Sequence, residues 1–264
     1  MVSDLALARR LERAEGSANA RFVEARAVHA PEIGACWTEV AGAYAMFDGQ
    51  HSPCTQTFGL GLDRMPTSEE MAQVEAFFRD RGASTFHEVS PMADAALLPL
   101  LHQRGYRPVE LTSVLYLPLA GRRCPESAEV TARLAGLAEA ERFADVAAEG
   151  WREHPEFSGQ IRALMAVMAR RNGALNFLAE LDGKAIGAGA LAVHEGIALL
   201  AGASTIPEWR RRGAQRALLA ARLDYAAQSG CDLAMICAAP GSESQRNAER
   251  AGFRIAYTRI KWCL

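Results

Sequence analysis

The sequence has no apolar run approaching the ~18 residues that a membrane span needs. Its opening segment, MVSDLALARRLERAE, lacks the apolar core and small-residue cleavage site of a secretory leader. These absences imply a cytoplasmic chain that stays off the membrane. Net charge is nearly missing as well. The 29 basic and 31 acidic residues leave a formal charge of −2, so no chain-wide field gathers nucleic acid or anionic lipid, and any anion site must be local. The six cysteines, Cys36, Cys54, Cys124, Cys231, Cys237 and Cys263, form no CxxC pair and have no His-x-x-x-His beside them. That pattern argues against a metal site and for reduced thiols used in packing. GxSxG and GxxxxGK[ST] are both absent, which removes the serine-hydrolase elbow and the P-loop.

What is present is bulk and repetition. Half of the 264 residues are apolar, enough for one large core or two modest ones. FFRDRGASTFHEVSP and LHQRGYRPVELTSVLYLPL in the first half find echoes in YAAQSGCDLAMICAAP and NAERAGFRIAYTRIKWCL in the second. Gly82 pairs with Gly230 and Gly105 with Gly252 at nearly one offset, the mark of a duplication. The short polar segment Ala120–Ser127 between the halves predicts a boundary, with domains over 1–120 and 121–264.

In the second half, the composition and spacing predict helices over 128–149 and 158–171. ALNFLAELDGKAIGAGALAVHEGIALLAGAST then reads as an antiparallel meander, turned at Asp182-Gly183 and Glu195-Gly196. Ala214, Ala217, Leu218, Ala221 and Tyr225 keep helical spacing up to Gly230. A strand over 233–238, a helix over 242–251 and a terminal strand follow, giving the order ααβββαβαβ.

At the join between meander and helix lies TIPEWRRRGAQRALL, with four arginines within seven residues. A helix N-terminus presents unpaired backbone N–H groups and about half a positive charge. A loop that turns into one through Gly213 is therefore built to hold an anion such as pyrophosphate, with Arg210, Arg211, Arg212 and Arg216 as charge-assisted donors and Ala214 keeping the approach clear. The plain alternative is a solvated basic turn. A competing nucleotide signal, Gly187-Ala-Gly-Ala-Leu-Ala192, matches GxGxxA but continues as strand where a helix must open, so its glycines belong to a hairpin.

The run Arg210-x-x-Gly213-Ala214-Gln215 resembles the pyrophosphate loop of the GCN5-related N-acetyltransferases (GNAT), and the closing Ala251-Gly252-Phe253 turn resembles the end of that fold. The resemblance covers about 140 residues. It implies an α/β (α+β) architecture of two tandem GNAT-like domains, each a mixed, mostly antiparallel sheet flanked by helices. It also implies an acetyl-CoA-dependent N-acyltransferase. The backbone of Ala203, Ser204 and Thr205 would pair with the pantetheine arm, and the loop Arg211–Arg216 would take the pyrophosphate, with Arg210 beside it. The chain departs from the family at Gln215, where a small residue is usual, and at Ala248, where a tyrosine often serves as general acid. The first half resembles the same fold with its loop erased: after Thr55–Leu62 come Thr67 and Glu70, a capping box instead of a glycine turn.

Candidates for the remaining chemistry follow. Tyr257, on the terminal strand, is placed either to protonate the thiolate or simply to pack. Glu153 and His154 follow Trp151 in an interhelical connection, as amine bases or as solvated loop groups. Cys237 sits on the strand after the loop helix, as a nucleophile or a small packing residue. His87-Glu88 falls on the matching strand of the first half. Two hypotheses stand: an acetyltransferase acting by direct attack of a small-molecule or peptide amine in a ternary complex, or a CoA-binding or structural tandem module without turnover. Neither reading involves nucleic acid or a membrane partner, and a homodimer is compatible with both.

Overall fold

The computed structural model describes residues 3–121, 129–153 and 155–264. Its contacts divide the chain into two compact units, Met1–Leu117 joined by Met235–Leu264, and Pro118–Ala234. The linear halves expected from the sequence do not coincide with these units. Apart from Ala120 and Gly121, the expected connection Ala120–Ser127 lies largely outside the described residues.

The first unit opens with α1 (Leu5–His29), whose first turn is capped where Leu7 N–H donates to Asp4 Oδ1 at 2.9 Å. Strands β1 (Cys36–Val40) and β2 (Ala43–Phe47) form a hairpin through Ala41-Gly42, both at positive φ. Then come β3 (Gln56–Phe58), α2 (Ser68–Arg79), β4 (Phe86–Val89), α3 (Leu97–Gln103) and β5 (Arg107–Pro118). The helix α7 (Glu243–Arg250) and strand β11 (Arg254–Cys263) return to this unit from the far end of the sequence. The reason is hydrogen bonding and burial: β11 runs antiparallel to both β4 and β5, and Trp262 packs in a core with Leu60, Met71, Leu97 and Leu101. The strand order in this unit is β1-β2-β3-β4-β11-β5, with β3 and β4 parallel.

The second unit contains β6 (Thr131–Ala135), α4 (Ala140–Glu149), α5 (Pro155–Arg170), β7 (Leu175–Leu181), β8 (Lys184–His194), β9 (Ile197–Thr205), α6 (Ala214–Gln228) and the start of β10 (Leu233–Ala238). Strands β6 to β9 form an antiparallel meander turned at Asp182-Gly183 and Glu195-Gly196, where all four residues have positive φ. The helix expected over 128–149 is corrected: residues 131–135 form a strand, and only Ala140–Glu149 is α-helical. Thr-Ala-Arg-Leu-Ala consists mainly of good helix formers, but pairing of Thr131 with Glu180 through Ala135 with Asn176 overrides that local preference. Phe143, Ala147, Leu178, Ala188 and Ala190 form the core under α4.

The four turn glycines that the sequence sets at a near-constant offset all close helices. Gly82, Gly105, Gly230 and Gly252 follow α2, α3, α6 and α7, each with φ between 68 and 92°. In every case the next residue's N–H reaches back five positions: Ala83 to Phe78, Tyr106 to Leu101, Cys231 to Ala226 and Phe253 to Ala248. This is one closing motif used four times, and glycine alone accepts its left-handed position without strain.

Candidate functional site

The site is assembled from the end of β9. Ile206 N–H donates to Ile186 O at 3.0 Å, and Thr205 and Ser204 face Gly187 and Ala188. Antiparallel alternation then turns the backbone groups of Ser204 toward β8 and those of Thr205 away from it. One step earlier the register slips: Ala190 pairs with Ala201, so Gly202 and Ala203 together oppose Gly189. That is a β-bulge, with Gly202 at φ 59° supplying the left-handed residue. The helix α4 covers the strand end. Ser204 Oγ donates to Ala147 O at 2.9 Å, and a Cβ on Gly150 would meet Ser204 Oγ at 2.5 Å.

After β9, Pro207–Trp209 makes one 3-10 turn, Arg211 adopts φ 64°, and Gly213 caps α6 at φ 95° with no side-chain hydrogen bond. The first bond of α6 runs from Ala217 N–H to Gly213 O. The N–H groups of Ala214, Gln215 and Arg216 therefore have no partner within the helix. Among the described residues no acid pairs with Arg211, Arg212 or Arg216, all exposed; Arg212 lies over the Trp209 ring at 5.1 Å. Arg210 is bound to Glu153 at 2.6 Å and reaches Gly150 O at 3.4 Å. Gln215 turns away from the helix end and donates to Thr205 Oγ1 at 2.9 Å. Uncapped backbone donors next to exposed arginines are a donor set suited to an anion such as a diphosphate.

Residues 136–253 match the model of the Acetyltransferase (GNAT) family. This segment is a GNAT domain. The whole chain also has the fold of solved GNAT proteins. A GCN5-related N-acetyltransferase from Kribbella flavida is 19% identical, with 92% of this chain and 94% of that one covered at a TM-score of 0.63. A tandem GNAT protein from the clavulanic acid biosynthesis pathway is 14% identical, covering 84% and 78% at 0.59. A GCN5-related N-acetyltransferase from Sphaerobacter thermophilus is 19% identical, covering 79% and 71% at 0.58. Comparison with curated proteins found no match.

Most of the other expected residues are engaged by side chains outside the loop. Tyr257 belongs to the first unit, where its buried hydroxyl donates to Glu12 Oε1 at 2.8 Å; burial, then the Glu12 charge, pushes its pKa well above the usual tyrosine range. Cys237 donates to Glu15 Oε2 at 3.2 Å, and burial followed by the Glu15 charge holds its thiol protonated. Glu153 is exposed and tied to Arg210, and His154 lies outside the described residues. Ala248 is buried at the last helix turn, where its carbonyl accepts the Phe253 N–H. His87 is neutral, its pKa drawn down to about 3 by burial, with Thr57 at 2.6 Å on one ring nitrogen and Tyr106 at 3.0 Å on the other.

Sequence reasoning missed two buried charged groups. Arg259 lies among Glu12, Glu15 and Glu88, donating to Glu15 at 2.7 and 3.0 Å and facing Glu88 Oε2 at 2.9 Å as an ion pair without hydrogen-bond alignment. Burial raises the Glu12 pKa to about 7 against the pull of Arg259, whereas Arg259 outweighs burial at Glu15 and lowers it. The second group is Arg222, on the inner face of α6. Both could have been found as charges on an otherwise apolar helical stripe: Glu15 four residues after Leu11, and Arg222 four after Leu218.

Proposed function

We propose that the protein is an acetyl-CoA-dependent N-acetyltransferase that passes the acetyl group directly to an amine. The observation that carries this reading is the N-terminus of α6 at Gly213, open and without a side-chain cap, directly after a strand with a bulge at Gly202–Ala203. The Ala214–Arg216 N–H groups and the guanidinium groups of Arg210, Arg211, Arg212 and Arg216 hold the pyrophosphate. The outward backbone of Ala203 and Thr205 orients the pantetheine arm. Ser204, turned to β8 and tied to Ala147, acts by fixing that strand.

Bound acetyl-CoA supplies an activated thioester, whose C–S bond breaks as the amine forms a C–N bond. Positioning carries most of the acceleration: ~7–11 kcal/mol of barrier is within reach of proximity alone, against a factor of ~10²–10⁴ for a placed acid or base. A backbone N–H at the end of β9 polarises the carbonyl. Cys237, a protonated thiol bound to a carboxylate, takes no part, so no acyl-enzyme forms. Tyr257 donates its hydroxyl hydrogen to Glu12, which leaves water to carry the proton released by the amine to the thiolate. The acceptor is a small-molecule or peptide amine met in the cytoplasm.

Residues 1–120 form a GNAT-like domain without a coenzyme loop. The α2 N-terminus is closed by its own side chains: Thr67 Oγ1 accepts from Glu70 N–H at 3.2 Å and Glu70 Oε2 from Thr67 N–H at 2.8 Å. Titration calorimetry should therefore give one CoA per chain, and an amine panel should release CoA thiol. Two sites per chain overturn the assignment of residues 1–120. Thermal protection by CoA with no thiol release across the panel leaves the binding module as the function.

A further inference from the structure

Arg222 is 3% exposed, yet no carboxylate meets it among the described residues. Burial lowers its pKa to about 10, so it is still a cation at neutral pH. A buried charge without an acid is costly unless its donors are used. Here they go to carbonyls on three elements. Nε donates to Leu218 O at 3.0 Å within α6, and Nη1 donates to Ala190 O on β8 at 3.2 Å and approaches Ala201 O on β9 at 3.5 Å.

Ala190 and Ala201 are the pair that closes the bulge, and the single residue spanned by it is Gly189. A Cβ on Gly189 would stand 3.1 Å from the guanidinium carbon, and one on Gly187 would stand 2.9 Å from Ser204 O. The two glycines of the Gly187-Ala-Gly189 run thus have a local purpose: one admits β9, the other admits Arg222. The bulge breaks the ladder beside these two carbonyls, and Arg222 adds a donor shared between them while binding the loop helix to the strand it follows.

We infer that Arg222 is a positioning residue of the pantetheine-binding strand: by bridging Leu218, Ala190 and Ala201 it locks the β9 bulge and so sets where the backbone of Ala203 and Thr205 points. This rests on the coenzyme reading of the loop, but its consequence differs from that of the loop. Arginines 210–216 act on the nucleotide end, and Arg222 acts on the arm.

The test uses the full chain with two ligands, CoA and 3′-phospho-ADP, the nucleotide half without the pantetheine arm. In Arg222→Met the Kd for CoA should rise about tenfold, the loss expected for charge-assisted bonds to a fixed strand, while the Kd for 3′-phospho-ADP stays within about twofold. Amide hydrogen exchange over 201–205 should accelerate in the unliganded protein. Arg222→Lys, with one compact donor group in place of a fork, should fall between. Gly189→Ala, which displaces the guanidinium without removing it, should reproduce the CoA-selective loss and decides the matter if Arg222→Met does not fold. Equal losses for both ligands, or unchanged exchange over 201–205 in a folded variant, overturn the inference. Failure of the wild-type chain to bind either ligand overturns the coenzyme reading instead, and the exchange measurement then still decides the role of Arg222 in the bulge.

Discussion

Gln215 Nε2 donates to Thr205 Oγ1 at 2.9 Å, joining the first turn of α6 to the final residue of β9. The residue that departs from the family's small-residue preference is thereby folded back along the protein and kept clear of the helix N-terminus. The proposed anion-binding face of the loop is set by backbone, with Gly213 as its turn.

Replacing Gly213 with valine tests that face. At φ 95° a β-branched residue is strained, and relaxing the strain moves the Ala214–Arg216 N–H groups. Gly213→Val should weaken CoA binding at least tenfold by calorimetry with the circular dichroism spectrum retained. Unchanged affinity in folded protein would remove the basis for the site.

Glu153 competes for Arg210. Exposed ion pairs are worth about 0.2–1 kcal/mol, so Glu153→Gln should tighten CoA binding by about 1.5- to 5-fold at low salt, with the gain fading as ionic strength rises. Turnover should change by no more than a few-fold. A drop of about 10² or more in kcat would instead make Glu153 the amine base.

Tyr257→Phe separates water from tyrosine as the proton source. With the hydroxyl already bound to Glu12, the variant should keep its CoA affinity and lose only a few-fold in kcat. A loss of two orders of magnitude would put the phenol in the reaction.

The Glu12 carboxyl makes stability depend on pH. Its folded pKa of about 7 stands above the unfolded value of 4.5. The folded state therefore binds the extra proton between those values, and the stabilisation, complete below pH 4.5, is lost as pH rises through 7. Glu12→Gln, which still accepts from Tyr257, should remove this slope. Compared by urea unfolding at pH 5 and pH 8, the difference between variant and wild type should move toward the variant by on the order of 1–3 kcal/mol. No shift between the two pH values would show that Glu12 does not change protonation over that range.

The loop, the meander turns and the α2 capping box were legible because each depends on neighbours within a few residues: Pro207, Gly213, Asp182-Gly183 and Thr67 with Glu70. Strand β6 was not, since TARLA becomes a strand only through β7. The assignment of β11 was also hidden. Its Arg259 meets Glu12 across 247 positions, and no local pattern reports a pairing of that separation. The Gly187-Ala-Gly189 run is legible as strand from its neighbours, but its second glycine makes sense only with Arg222 packed against it.

The placement of β11 between β4 and β5 has a consequence for biosynthesis. A ribosome emits residues in order, so Pro118–Ala234 emerges complete while the sheet before it still lacks an inner strand. The later-encoded unit can thus reach its native state first, reversing the usual N-terminal priority. Until Arg254–Cys263 emerges, the waiting segment exposes two unpaired strand edges, at β4 and at β5, and the carboxylates of Glu12, Glu15 and Glu88 lack their guanidinium. Their mutual repulsion in that interval opposes premature closure around the vacant position, which stays open for the strand that carries Arg259.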